Sequence, residues 1–170
     1  VKTFTKDEKV LLCKKKANCR LVNNIPEEVT ILDEENLTFQ PKAVKNPTEV
    51  ENESIAHIKD GVAITKFIYW LKKNVGKIPM TELSAGEKLY SFRSQQENFI
   101  GNSFDPIISY GVHAAINHYS ATPETDISIE PGNFLLADTG GHYYEGTTDT
   151  TRTIVMGSVN EEQKKYFTAV

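Results

Sequence analysis

The apolar positions of this chain form short runs near its start, helical stripes in its middle and denser stretches near its end. Val10-Leu11-Leu12 and Val29-Thr30-Ile31-Leu32 are compact apolar runs, the second set off by Asn23, Asn24 and Pro26. Both read as strands, with a short polar element between them. From residue 46 the period changes. Asn46 is placed to cap a helix, Pro47 to open it and Glu49 to reach back as in a capping box. Ile55, Ile58 and Val62 then recur at helical spacing, followed by Ala63, Phe67, Trp70 and Leu71. This predicts one long helix that ends near Lys72, Lys73 and Gly76. Gly61 within it costs about 1 kcal/mol relative to alanine and is expected to admit close packing of another element.

Thr81 predicts the cap of a second helix, with Ala85, Leu89, Phe92 and Gln96 on one face and Leu83 and Tyr90 beside it. Residues 99–119 are rich in Gly, Ser, Ile and aromatics and read as strands broken by turns. Residues 122–126 predict a loop and 130–133 a turn. Phe134-Leu135-Leu136-Ala137 reads as a buried strand, and residues 150–156 as another. Asn160, with Gln163 three positions on, predicts a final capped helix that runs to Val170 without a stop signal. Such an ending suggests a boundary inside a longer chain.

Composition narrows the function. With 170 residues, 39% of them hydrophobic and 25% charged, the chain can bury a core for one domain, or for one domain and part of another. Residues 1–45 hold too little apolar sequence for a core of their own. They are expected to be the tail of a preceding domain, with residues 46–170 forming the next one. A net charge of -4 makes nucleic acid a poor partner. No apolar run approaches a membrane span, and no signal peptide is visible. Cys13 and Cys19 lie far from any histidine in a lysine-rich stretch, and read as free thiols in a reducing compartment, the cytoplasm.

The stretch with the most chemistry is Asp138 to Asp149, two aspartates with Gly140, Gly141 and Gly146 between them. Their midpoint falls between Tyr143 and Tyr144. A symmetric hairpin centred there would set the two carboxylates directly opposite, with Cβ atoms about 4.5–5.5 Å apart. Carboxylates that close repel each other, and a divalent cation between them resolves the conflict. Spacing alone leaves other uses open: ordinary turn residues, or a general acid and base pair.

The sequence 138–153, DTGGHYYEGTTDTTRT, resembles the first metal-ligand segment of the pita-bread (creatinase/aminopeptidase) metallopeptidases, and within them the Xaa-Pro aminopeptidases. Three earlier segments look like parts of the same family. Residues 46–75, NPTEVENESIAHIKDGVAITKFIYWLKKNV, resemble its first catalytic-domain helix. Residues 81–96, TELSAGEKLYSFRSQQ, resemble the second. Residues 103–125, SFDPIISYGVHAAINHYSATPET, resemble the substrate-side strands and loop. The resemblance covers about residues 42–170 in order. It implies an α+β pita-bread fold, N-terminal half only, preceded by the tail of a creatinase N-terminal-like α/β domain.

The resemblance also implies a function. The parent would be an aminopeptidase that cleaves the bond between an N-terminal residue and a following proline, through a hydroxide bridging two divalent metal ions. Manganese suits such an oxygen-rich site better than zinc. Asp138 and Asp149 match two metal ligands. The family's histidine and two glutamates would follow residue 170, so this chain alone is expected to be inactive. His118, in the pair His118-Tyr119, matches the family histidine that contacts the scissile peptide or its tetrahedral intermediate. The implied partners are proline-containing peptides and a second copy of the parent in a homodimer, in the cytoplasm, with no nucleic acid and no membrane. A prolidase acting on dipeptides and a non-catalytic peptide-binding module are the rival functions. His113 departs from the family's more usual residue and is expected to alter the pocket without ligating metal. His142 is expected to face solvent and His57 to be structural. Arg152 is expected on the opposite strand face from Asp149, supporting the fold by ion pairing.

Overall fold

The structure, a computed structural model, describes residues 4–170. It divides into two units, Val1–Pro47 and Thr48–Val170.

In the first unit both apolar runs become strands. Lys9–Leu11 (β1) and Thr30–Leu32 (β2) pair in parallel, Val10 against Ile31. A parallel pair needs a crossover, and the polar segment supplies it with a short helix, Cys19–Val22 (α1), capped by the Asn18 side chain. A second short helix, Phe39–Ala43 (α2), follows. Among the described residues of this unit only Val29 is a buried hydrophobic, so it has almost no core of its own. Cys13 and Cys19 are both free thiols.

The second unit starts from the long helix Pro47–Asn74 (α3) and the helix Glu82–Arg93 (α4). Thr81 caps α4 and accepts from the backbone of Ser84, whose hydroxyl bonds back to Thr81 in a reciprocal box. The strands that follow are Phe99–Asn102 (β3), Ile107–Tyr110 (β4), Asn133–Thr139 (β5), Gly141–Tyr143 (β6) and Thr150–Met156 (β7). A 3-10 helix, Gly111–Ala115, lies where only strands and turns were expected. The final helix, Glu161–Ala169 (α5), carries the reciprocal Asn160–Gln163 cap. Strands β4, β5 and β7 form an antiparallel sheet with β5 in the centre, and β3 pairs with β6.

The core lies between the helices and one face of this sheet. Phe67 and Leu71 of α3 and Ala85 and Leu89 of α4 join Ile108, Leu135, Ala137, Ile154 and Met156 from the strands in one buried cluster. On α3 the buried stripe is Ala56, Asp60, Ala63, Phe67 and Leu71. The apolar positions Ile55, Ile58 and Val62 face outward, with Ile58 68% exposed. Gly61 also corrects the sequence reading: a side chain there would meet open space, not another element.

The buried face of α3 includes a charge because it has partners. Arg93, at the end of α4, donates to Asp60 through Nε at 2.7 Å and Nη2 at 3.1 Å, and to Thr139 of β5 at 3.0 Å. Tyr143 of β6 donates to Asp60 at 3.1 Å. Desolvation, with the Asp60 carboxylate adding to it, pushes the Tyr143 phenol far above its ordinary value and keeps it a donor. Two helices and two strands meet at these four buried side chains.

The hairpin between β5 and β7 differs from the symmetric one expected. Asp138 pairs with Thr151, Thr139 with Thr150 and His142 with Thr147. The turn consists of Tyr144 and Glu145, closed by mutual bonds between Tyr143 and Gly146. The centre is therefore one position later than the midpoint of the aspartates. Docking of the tip accounts for this register. Glu145 accepts from Lys59 at 2.6 Å and from Asn98 at 2.8 Å. A side chain at Gly146 would collide with the carboxylate of Glu53 on α3. At Gly140 the chain passes so close to the Thr148 carbonyl and the Ser103 hydroxyl that no Cβ fits.

Two outcomes follow from this packing. Arg93→Met strands the buried Asp60 carboxylate and should lower the unfolding free energy by about 3–5 kcal/mol. Ile58→Ser on the exposed face should change it by no more than about 0.5 kcal/mol. Denaturant titration compares the two. The bonds from Lys59 and Asn98 lower the Glu145 carboxyl from 4.5 to about 2, so its contribution to stability is present above pH 4.5 and is lost as the pH falls through about 2. Its carboxyl carbon resonance should titrate near that lower value, and should move back toward 4.5 in Lys59→Met.

Candidate metal centre

Alternation along β5 sends Leu135, Ala137 and Thr139 into the core beneath the helices, and Phe134, Leu136 and Asp138 to the opposite face. Asp138 sits in the central strand, opposite Ile107 on one side and Thr151 on the other. Its Oδ1 is buried and has no hydrogen-bond partner. A carboxylate oxygen removed from water without a donor is costly, by about 1–3 kcal/mol or more for a charged group. The hydroxyl of Ser109, buried on β4, is likewise without a partner. Ser109 pairs with Leu136, which puts it on the same sheet face as Asp138.

Asp149 is exposed and lies one residue before β7. The ladder segments on either side of it share one register, which sets Asp149 level with Gly140 and two positions from Thr151. The two aspartates are therefore diagonal neighbours on one face, not the directly opposed pair expected. Diagonal neighbours stand about 7–8 Å apart, which leaves room for cations about 3.5–4 Å from each other. An all-carboxylate donor set with one buried, unpartnered oxygen fits hard divalent cations. The set is partial: among the described residues no group of three or more His, Cys, Asp or Glu side chains is placed to hold a metal.

The histidines separate clearly. His118 is exposed, in the segment after the 3-10 helix, with a left-handed backbone at φ 56. His113 points inward, its Nδ1 3.0 Å from both carboxylate oxygens of Glu82. His142 is exposed on β6 and bonds Thr147 at 2.8 Å, and His57 bonds the carbonyl of Glu53, one turn back on α3, at 2.9 Å. Arg152 donates to the carbonyl of Thr151 at 2.7 Å. No ion pair of Arg152 with a carboxylate occurs among the described residues, contrary to the expected role. Sequence reasoning missed Glu82 and Ser109. The only local signal for Glu82 was its place directly after the helix cap Thr81, where acidic residues favour the helix N-terminus.

Comparison with known proteins connects these observations. The sequence profile of Metallopeptidase family M24 matches residues 51–170. The probable Xaa-Pro aminopeptidase P of Botryotinia fuckeliana is 43% identical over 131 residues, covering 76% of this chain and 20% of that protein. Its counterpart in Paracoccidioides brasiliensis strain Pb03 is 44% identical over 131 residues, covering 76% of this chain and 21% of that protein. The X-prolyl aminopeptidase of Caenorhabditis elegans, described as a cytosolic enzyme with a di-nuclear active site, superposes with a TM-score of 0.76 at 32% identity over 82% of this chain and 23% of its own. A prolidase from Pyrococcus furiosus shares the fold, with a TM-score of 0.73 at 24% identity over 96% of this chain and 46% of its own. The chain spans about a fifth of the length of the curated relatives it matches. From this match and this fold, the chain belongs to metallopeptidase family M24, whose pita-bread architecture it adopts in part.

Proposed function

We propose that the whole protein is a Xaa-Pro aminopeptidase in which Asp138 and Asp149 hold two divalent cations and His118 meets the scissile peptide. The observation that carries this reading is the buried, unpartnered Oδ1 of Asp138 on the same sheet face as Asp149. When bound, the cations would polarise the scissile carbonyl and acidify a water. Asp138 sits in a central strand between two neighbours, with Oδ1 buried, so it would supply the more fixed ligand. Asp149, exposed just before β7, would supply the accessible one. His118 is exposed and free to donate a hydrogen bond to the carbonyl oxygen as negative charge develops there. The substrate's proline lacks an N–H and constrains the backbone, so recognition falls to its ring and to the peptide carbonyl before it.

A carboxylate-dominated site favours manganese. Residues 1–45 are then the tail of a creatinase N-terminal-like domain, consistent with the near absence of a core in the first unit. Cytoplasmic location and a homodimeric parent belong to the same reading. A peptide-binding module without catalysis has no use for an unpartnered buried carboxylate, which favours the enzyme.

The full-length protein should cleave an Xaa-Pro-containing tripeptide with manganese, lose the activity on chelation and regain it when the metal is returned. Asp138→Asn and Asp149→Asn should each lower kcat/KM by more than the roughly 10–100-fold typical of outer-sphere partners. Metal content should fall in parallel. Cleavage of dipeptides alone would identify a prolidase instead. This chain by itself, with two carboxylates as its ligands, should show no metal-dependent turnover once host peptidases are excluded. Turnover by the isolated chain would overturn the assignment of required residues.

A further inference from the structure

No residue of the 3-10 helix or of the segment that carries His118 is buried, and three groups around it meet one buried carboxylate. Glu82, in the first turn of α4, is 1% exposed. Its Oε1 accepts from the backbone N–H of Tyr110 at 2.6 Å. The Nδ1 of His113 lies 3.0 Å from both oxygens, and Tyr119 donates to Oε2 at 3.2 Å. The rings of His113 and Tyr119 lie against each other, with centroids 4.3 Å apart. A carboxylate only accepts, so the His113 tautomer carries its proton on Nδ1. Three points of the chain, before, within and after the 3-10 helix, converge on Glu82, and His118 immediately precedes the last of them. Thr125 binds the same Tyr119 hydroxyl at 3.0 Å, and Asp126 accepts from the backbone of Leu83 on α4. Desolvation, opposed by the Thr125 bond and reinforced by Glu82, raises the Tyr119 phenol above its ordinary value, so it remains a donor.

His118 itself has φ 56. A non-glycine residue persists in that left-handed conformation only where its surroundings over-determine it. The anchoring of Tyr119, the next residue, supplies that constraint. We infer that Glu82, acting through His113 and Tyr119, is a positioning residue that presents His118 to substrate. Three donors, from Tyr110, His113 and Tyr119, already meet the two Glu82 oxygens, so Glu82 is engaged by its partners and acts through them. This rests on the proposed role of His118.

The test uses the full-length protein and two readouts. Glu82→Ala buries a vacancy and can fail to fold, so the variants are His113→Ala and Tyr119→Phe. Each should lower kcat for an Xaa-Pro tripeptide by about tenfold or more, with KM within about threefold. Amide hydrogen exchange over residues 114–120 should accelerate by about tenfold or more, while α3 and β5 keep their protection. His113→Gln, whose side-chain N–H can reach the same carboxylate, should restore most of kcat. Unchanged exchange over residues 114–120 in an active enzyme overturns the anchor, and so does faster exchange with unchanged kcat. An unmodified protein without Xaa-Pro hydrolysis overturns the functional reading, and with it the role given to His118.

Discussion

The bidentate pair between Arg93 and Asp60 is the constraint on which the second unit depends. Two charges taken out of water favour the fold only when their remaining donors and acceptors are met. Here they are met by groups from other elements: Thr139 accepts from Arg93, and Tyr143 donates to Asp60. The pair thus fixes α3 against α4, and both against β5 and β6. Thr139 follows Asp138 directly, on the opposite face of the same strand. Holding Thr139 beneath the helices therefore directs the Asp138 carboxylate to the far side of the sheet. A network that looks purely structural determines which face of β5 can carry chemistry.

The same logic fixes the hairpin. Its register is set by what the tip touches on α3 and by the tight passages at Gly140 and Gly146, not by the two aspartates. Because Glu145 must reach Lys59, the turn centre moves by one position and the aspartates become diagonal neighbours. A directly opposed pair at about 4.5–5.5 Å would suit a single cation. The wider diagonal spacing is the one that accommodates two. Docking of the turn on a helix thereby sets the spacing of two carboxylates on the other side of the sheet.

Much of this architecture was legible in the sequence because it is locally encoded. Thr81, Asn160 and Gln163 act as caps, Pro47 opens α3, and the apolar runs at β5 and β7 became strands. The face of α3 was legible only in its later turns, where Ala63, Phe67 and Leu71 are buried as their spacing indicated. Ile55, Ile58 and Val62 form as good an apolar stripe as the one that is buried, and the true stripe includes Asp60, a residue that pattern reading assigns to solvent. Only the presence of Arg93, 33 positions away, makes its burial favourable. The hairpin register failed for a related reason: turn residues show that a turn exists, while the docking partner that selects its centre lies on a distant helix. For the candidate site, the motif pointed to Asp138, Asp149 and His118, and the roles proposed for them rest on it. Glu82 and Ser109 stayed hidden because their significance comes from burial, which a single sequence does not display.

His113 shows how a departure from a family pattern can be absorbed. Its Nδ1 is turned to a carboxylate 31 positions earlier. Glu82 would be expensive to bury with two donors only. With Tyr110, Tyr119 and His113 all directed at it, the carboxylate is met by three donors, and the chain is tied to α4 at three points. The exposed His118 then has a defined backbone without belonging to a strand or helix. Catalytic side chains need access to substrate, which weakens their packing, so their order must come from neighbours. In the proposed site both groups would follow that rule: Asp138 adjoins Thr139, which Arg93 holds, and His118 adjoins Tyr119, which donates to Glu82.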